Sequence, residues 1–413
     1  VGECHELWVN EGFAGGRIGG FMTTFLDITD FLNEEEDNTL LLRADNTPNF
    51  LTGNPTGLIG WGAFGGPHQP VWLHTRDHAY IDYAGVEIRT QVTVTDLAPG
   101  PAVSVTGPSG PQVLAPRLVL LATGARETSR AARLLGGTKP GGVITTGTLQ
   151  SMVYLHGQLP FRQPVILGTE LVSFSAILTC RHLGIRPTAM IEPNGRTTAR
   201  WPTALFPRLA RVPLLLGTEI TAIHGRDRVT SVSVRDTRGS RDIACDGVIV
   251  SGGFRPDAAV LQRSHLRIDP ASGGPEIDQY GRCSDPDYFA AGNLLRAVET
   301  AGWSWREGWR MAQIMADALH RPLPDPSEDT ITLNGDALAY CGPQRLAGSG
   351  GPSPLRGFQL RVNRAVKGTL VMRVDGQITT RKPVETLPER RILLPYPDTR
   401  NAGKIDITLD ETA

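Results

Sequence analysis

Tyr288-Phe289-Ala290-Ala291-Gly292-Asn293, followed by Glu299-Thr300-Ala301-Gly302-Trp303-Ser304-Trp305-Arg306-Glu307-Gly308, decides how the rest of the chain reads. An apolar strand enters a tight glycine turn, a polar spacer follows, and a new helix then starts. Such a turn aims backbone N–H groups at an anion, because the first amides of a helix lack intrahelical acceptors and the helix dipole is positive there. The expected anion is a flavin, an expectation that rests on the resemblance set out below. Gly292 supplies the freedom to leave the strand. Thr300 reads as the N-cap, with the amides of Ala301, Gly302 and Trp303 facing outward from the positive end, where they would stabilise the negative N1/O2 edge of a reduced flavin. The competing reading is an ordinary strand-to-turn glycine, with Trp303 and Trp305 as core or interface aromatics.

A second strand and glycine turn lies upstream in Arg117-Leu118-Val119-Leu120-Leu121-Ala122-Thr123-Gly124-Ala125. Taken in order, LLATGA at 120–125, VILGTE at 165–170, VIVSGGFRPD at 248–257 and YFAAGN…ETAGW…REG at 288–308 resemble the two-dinucleotide-domain flavoproteins related to thioredoxin reductase. Within that superfamily the chain is most similar to the α subunits of opine oxidase, heterotetrameric sarcosine oxidase, proline and hydroxyproline dehydrogenases and hydrogen cyanide synthase. The similarity spans roughly residues 5 to 325.

The resemblance implies an α/β fold with two Rossmann-like dinucleotide-binding domains, each a three-layer ββα arrangement. It implies FAD as cofactor, a small amine or amino-acid-like substrate, and a protein subunit partner. Asn293 stands where the family usually has an aspartate that bonds the ribityl chain, and its amide has similar reach. Gly124 and Arg126-Glu127-Thr128 fall at one crossover between the two domains. Gly252, Gly253 and Asp257 fall at the other, where a structural role is the simpler reading.

Gln163-Pro164-Val165-Ile166-Leu167-Gly168 opens a further strand-turn-helix-strand unit. Its apolar helix runs from about Leu171 to Leu183, Gly184 is the stop, and the next strand ends at Glu192. The topology suits a pyridine nucleotide, but the fingerprint does not. Glu170 occupies the position of the second glycine, where a carboxylate adds bulk and like charge against a pyrophosphate, and Ser173 replaces the third. These residues argue against ordinary NAD(P) binding.

At the N-terminus, His5-Glu6-Leu7-Trp8-Val9-Asn10-Glu11 reads as a strand ending in a carboxylate, the place of a ribose-binding acid. That acid normally follows a G-x-G-x-x-G turn by about 20 residues. The first strand and phosphate loop are therefore expected to precede Val1. A surface loop at Glu11, or a phosphate loop in Gly12–Gly20 itself, are the alternatives.

The domain layout that follows is a discontinuous FAD-binding domain over 1–155 and 245–325, a degenerate NAD(P)-like domain over 156–244, and a small, mainly β module over 326–413. In the module, Phe358–Val362 and Thr369–Val374 alternate as half-buried strands, and Asp375-Gly376 is a hairpin turn.

Composition bounds the partners. Of 413 residues, 41 are Lys or Arg and 42 Asp or Glu, without a long basic run, so nucleic acid and anionic membrane surfaces are disfavoured. No apolar run reaches spanning length. The five cysteines, Cys4, Cys180, Cys245, Cys283 and Cys341, are scattered, which fits a reducing cytoplasm. They leave neither the adjacent thiols of a disulfide reductase nor the ligand set of an iron–sulfur cluster. His74 and His78, in His74-Thr75-Arg76-Asp77-His78, lack the glutamate of a zinc hydrolase, and no metal is expected.

Overall fold

The computed structural model describes residues 4–18, 26, 28, 31–33, 38–45, 89–297, 299–348, 355–397 and 403–412. The His74–His78 motif lies outside them. The chain forms two compact units, one of residues 1–85 and 127–253 and the other of 86–126 and 254–413.

The core of the first unit is a five-stranded parallel sheet with strand order 214–216, 189–192, 164–167, 247–250, 143–145. Its central strands are continuous apolar runs, such as Val165-Ile166-Leu167 and Val248-Ile249-Val250, all at 4% exposure or less. Both faces of a parallel sheet are covered, so such strands do not alternate. Helices α1 (Thr146–Gln150), α2 (Leu171–His182) and α3 (Phe206–Leu209) belong to this unit. Phe174, Ala176, Ile177, Leu178 and Cys180 of α2 are all buried, and Phe174 and Ile177 share a cluster with Ile166, Met190 and Ile249. α2 ends as its sequence predicts. Gly184 takes a φ of +70°, its N–H donates to Arg181 O at 2.9 Å, and Ile185 N–H donates to Cys180 O at 3.0 Å.

Two sequence expectations are corrected here. The sheet of the nucleotide-like unit recruits Val143–Thr145 and Gly247–Val250, both outside the expected 156–244, because each supplies a fully paired parallel neighbour. Glu11 does not end a parallel strand. Cys4–Val9 and Gly12–Ile18 pair antiparallel, and Asn10 and Glu11, with φ of 48° and 69°, form the two-residue turn between them. The Glu11 side chain is exposed at the tip of that hairpin, not at the carboxyl end of a Rossmann strand.

The second unit carries an antiparallel meander (93–98, 102–107, 110–114) and a parallel pair, Val119–Leu121 with Tyr288–Ala290. Tyr288 ties the two together by donating from its hydroxyl to Ala98 O at 2.7 Å and Ala102 O at 3.1 Å. Helix α4 (Ala301–Ala318) buries Glu307, Met311 and Ile314, a stripe at helical spacing. Met311 and Ile314 pack with Tyr280, Phe289 and Ala291, which brings the start of α4 beside the Gly292 turn.

The C-terminal module consists of a four-stranded sheet (332–334, 405–411, 366–374, 377–386) and a three-stranded sheet (338–342, 358–362, 392–394). Phe358, Leu360 and Val362 from one and Leu370, Met372 and Ile407 from the other share a single apolar core. Asp375 and Gly376, with φ of 50° and 79°, make the expected tight turn, with Val374 paired to Gln377.

Candidate cofactor sites

In the second unit the chain leaves its strand at Ala291, whose N–H donates to Leu121 O at 3.1 Å, and turns at Gly292 with a φ of +75°. A Cβ placed on Gly292 would meet nothing nearer than the Ser304 side chain at 3.9 Å. The turn is therefore open on that side. Two buried polar atoms follow it on α4, Trp303 Nε1 and Ser304 Oγ, and neither has a hydrogen-bond partner among the described residues. Buried polar groups are nearly always paired, so two orphans beside an open glycine make this turn a candidate for a ligand site.

Other groups of this turn are already engaged. The Gly292 N–H donates to Glu307 Oε1 at 2.7 Å, and Glu307 Oε2 is held by Arg296. Asn293 Oδ1 accepts from Glu299 N–H at 2.8 Å. Its amide thus clips the 293–299 loop, whereas the sequence reading had it reach outward. Thr300 does occupy the N-cap position, yet its side chain makes no capping bond; its carbonyl accepts from Trp303 N–H and Ser304 N–H at 2.9 and 3.0 Å. The Trp303 amide is consequently turned into the helix, which corrects the expectation that it faces outward. Ala301 and Gly302 lie in the exposed first turn.

Sequence reasoning passed over Glu299 and Glu307. The signal for Glu307 was present, since a carboxylate four residues before Met311 falls on the apolar stripe of α4. Glu299 accepts from Arg361 at 3.0 Å and is also held by Arg391, partners 62 and 92 residues away that no local pattern announces.

Gly124 has a φ of +75°, and its carbonyl accepts from Asp257 N–H at 2.9 Å. Thr123 Oγ1 donates to Asp257 O at 2.7 Å, and Ala125-Arg126 pair antiparallel with Arg255-Pro256. The two crossovers that the sequence singled out are thus one hydrogen-bonded pair of strands. Arg126 is exposed and lies 4.0 Å from Asp257.

In the first unit the glycine turn before α2 is filled by the chain itself. A Cβ on Gly168 would stand 2.8 Å from Ser251 O. Thr169 is fully buried, donates to Glu192 Oε2 at 2.5 Å and accepts from Thr198 N–H at 2.9 Å. The other oxygen of Glu192 accepts from the backbone and side-chain amides of Asn194. Glu170 occupies the N-cap position of α2 but does not cap it. Its Oε1 accepts from Gly253 N–H at 2.8 Å, while Oε2 is buried and unpartnered among the described residues. Burial pushes the Glu170 carboxyl above its usual range, against the pull of the Gly253 N–H and of Arg133. A neighbouring carboxylate, Glu127, accepts from Gly252 N–H at 2.9 Å and Gly147 N–H at 2.8 Å.

The four thiols among the described side chains offer no exchange chemistry. Cys180, Cys245, Cys283 and Cys341 are buried and free, and burial raises Cys180 to about 12 and Cys245 to about 11. A thiol that far above neutrality carries almost no thiolate. No group of metal-ligating side chains occurs among the described residues, and no described helix is long and apolar enough to cross a membrane. A surface cleft of about 580 Å³, lined by residues including Ala204, Leu205, Arg208 and Arg211, shares no residue with either glycine turn.

The family described as pyridine nucleotide-disulphide oxidoreductase matches residues 84–312. The chain belongs to that family. It is accordingly a member of a family of flavin- and pyridine-nucleotide-dependent oxidoreductases, and its fold is theirs, with a C-terminal β module. Among solved structures it resembles thioredoxin reductase of T. acidophilum at 20% identity, over 55% of this chain and 70% of that one, with a TM-score of 0.41. It also resembles an FAD-dependent pyridine nucleotide-disulphide oxidoreductase of Desulfovibrio vulgaris at 16% identity, over 69% and 74% of the two chains, TM-score 0.45. A water-forming NADH oxidase of Lactobacillus brevis is similar at 16% identity, over 56% and 53%, TM-score 0.43. No curated protein sequence matches the chain. Membership restores a pyridine nucleotide to the cofactors of the family, so the argument against NAD(P) narrows to what Glu170 does at one turn.

Proposed function

We propose that this protein is an FAD-dependent oxidoreductase acting on the C–N bond of a small amine or amino acid, as the α-type subunit of a larger assembly. The observation that carries the reading is the contrast between its two glycine turns. The Gly292 turn is open and flanked by unpaired Trp303 Nε1 and Ser304 Oγ, whereas the turn at Gly168 is closed by Thr169 and Glu170. Bound FAD would supply hydride acceptance. Gly292 and the exposed first turn of α4 at Ala301 and Gly302 would hold it, with Trp303 Nε1 and Ser304 Oγ as side-chain partners. Gly124 remains a candidate contact on the adenine side. Glu170 keeps NAD(P) from binding tightly, and the four described thiols, separated and buried, give electrons no route to a disulfide, so they leave through a partner subunit or another acceptor.

The test is the cofactor itself. Purified protein is expected to be yellow and to release FAD on acid treatment, identified by chromatography. FMN, or no flavin when apo-protein is incubated with FAD, overturns the reading. One observation favours a second reading, a non-catalytic scaffold: Glu307 and Glu299 already occupy the Gly292 N–H and the Asn293 amide. Under that reading the protein takes up no flavin at all.

A further inference from the structure

The five-stranded sheet of the first unit ends on one side at Leu214–Leu216, which pairs with Ala189–Glu192 and with no other strand among the described residues. Met190 N–H donates to Pro213 O at 2.8 Å, so the alternation of a parallel ladder turns the N–H and C=O of Leu214 away from the sheet. An open edge of this kind is a template for pairing with another chain. This one is also apolar, three leucines in a row of which Leu214 and Leu215 are only partly buried and Leu216 is exposed.

The surface beside the edge is apolar and basic at once. The cleft of about 580 Å³ is bounded by Leu205, Arg208, Arg211, Val212 and Leu214, so it adjoins the start of the same strand. In the adjoining segment Trp201 is 78% exposed and Leu209 77%, which is unusual for side chains of this size unless something covers them. Between Pro193 and Thr218 the chain carries Arg196, Arg200, Arg208 and Arg211 and no acidic residue. Arg200, Arg208 and Arg211 are exposed, and none of these three pairs with a carboxylate among the described residues. Arg211 follows α3 with a φ of +56°, a position where glycine or asparagine is the relaxed choice.

Three kinds of occupant suit an apolar, basic surface, and the open edge separates them. Lipid offers no partner to a backbone N–H or C=O, so open sheet edges do not face it. A second copy joined about a twofold axis would set a surface without acidic residues against itself. An extended segment with acidic residues satisfies the edge, the cleft and the charge together. We propose that Leu214–Leu216 takes an extended acidic segment of a partner protein as an added strand, with alternate apolar side chains in the cleft and carboxylates on Arg200, Arg208 and Arg211. The surface lies wholly in the first unit and uses neither glycine turn, so its occupancy is independent of flavin.

Fluorescence anisotropy on the intact protein tests the surface, with a labelled peptide that has valine at alternate positions and aspartates at both ends. It is expected to bind, and to bind less tightly as salt is raised. The same peptide with lysine in place of aspartate, or with its backbone amides N-methylated, is expected not to bind. Arg208→Gln combined with Arg211→Asn is expected to weaken the aspartate peptide by about tenfold or more while the thermal midpoint holds, since both side chains are exposed and asparagine tolerates the left-handed conformation at 211. Failure of the aspartate peptide to bind, equal binding of the lysine or N-methylated peptide, or unchanged affinity in the double variant overturns the proposal. Dimerisation of the protein alone, or its adsorption to phosphatidylserine vesicles, overturns it equally if the double variant abolishes it, because either gives the surface a different occupant.

Discussion

Replacing Glu170 with glycine should give this protein a pyridine-nucleotide site. The carboxylate stands at the start of α2, bonded to Gly253 N–H at 2.8 Å and otherwise unpaired. A unit negative charge about 4 Å from a pyrophosphate oxygen, in surroundings of effective dielectric about 20, opposes it by about 4 kcal/mol. At 1.4 kcal/mol per decade that is roughly a thousandfold in affinity. Glu170→Gly removes the charge and recreates Gly-x-Gly at 168–170. It also strips Gly253 N–H of its acceptor, at about 1–3 kcal/mol of stability, part of which a nucleotide oxygen would restore. A net gain of at least about a hundredfold in NADH or NADPH affinity is expected by titration calorimetry, from a wild type that binds neither at micromolar concentrations.

The pH dependence gives an independent check. Burial raises the folded-state value of Glu170 above its unfolded value, so its contribution favours folding fully below the ordinary carboxylate range and is lost as pH rises through the raised value. Wild-type stability relative to Glu170→Gly should therefore fall as pH rises above the ordinary carboxylate range, and wild-type NADH affinity should improve as pH is lowered and the charge is lost. Micromolar binding by the wild type at pH 8, or a variant that gains nothing, refutes the reasoning.

Three further outcomes are expected. Gly302→Val should lose flavin while its thermal midpoint holds, because glycine in an exposed first turn contributes nothing to helix propensity; full occupancy by flavin absorbance would contradict the site. Glu299→Gln leaves Arg361 and Arg391 without their shared carboxylate and should cost about 3 kcal/mol or more in urea unfolding, against under about 1 kcal/mol if the pairs are effectively solvated. A thiol reagent at pH 8 should leave Cys180, Cys245, Cys283 and Cys341 unlabelled until the protein unfolds, and fast labelling of any of them would contradict their burial.

What could be read from the sequence was what local chemistry determines. Gly184 ends α2 because only glycine takes its left-handed conformation without strain, and Asp375-Gly376 turns for a similar reason. The apolar run at 164–167, ahead of a glycine turn and a helix, announced a strand of a nucleotide-binding unit. Glu11 misled because His5–Val9 shows the same short apolar pattern whether its neighbour is parallel or antiparallel, and the turn at Asn10-Glu11 lacks glycine. The boundary at 156–244 failed because Val143–Thr145 joins the sheet through Gly247–Val250, about a hundred residues on. The Glu299 and Glu307 cluster was hidden for the same reason, since its arginines come from three separate segments.

At both candidate sites the chain supplies its own anion to a glycine turn. Glu307 takes the Gly292 N–H, Glu170 takes that of Gly253, and Glu127 takes that of Gly252. The consequences differ because the carboxylates differ in company. Glu307 is neutralised by Arg296, so it adds little repulsion toward a second anion beside Gly292. Glu170 has only Arg133 in its field, without an ion pair, and Glu127 and Glu192 add like charge. A dinucleotide approaching the first turn meets a paired carboxylate and an opening; one approaching the second meets unpaired charge and packed backbone. On the reading proposed above, a preference for flavin over pyridine nucleotide would follow from where the arginines stand, and moving charge at Arg296 or Glu170 should shift one cofactor without the other.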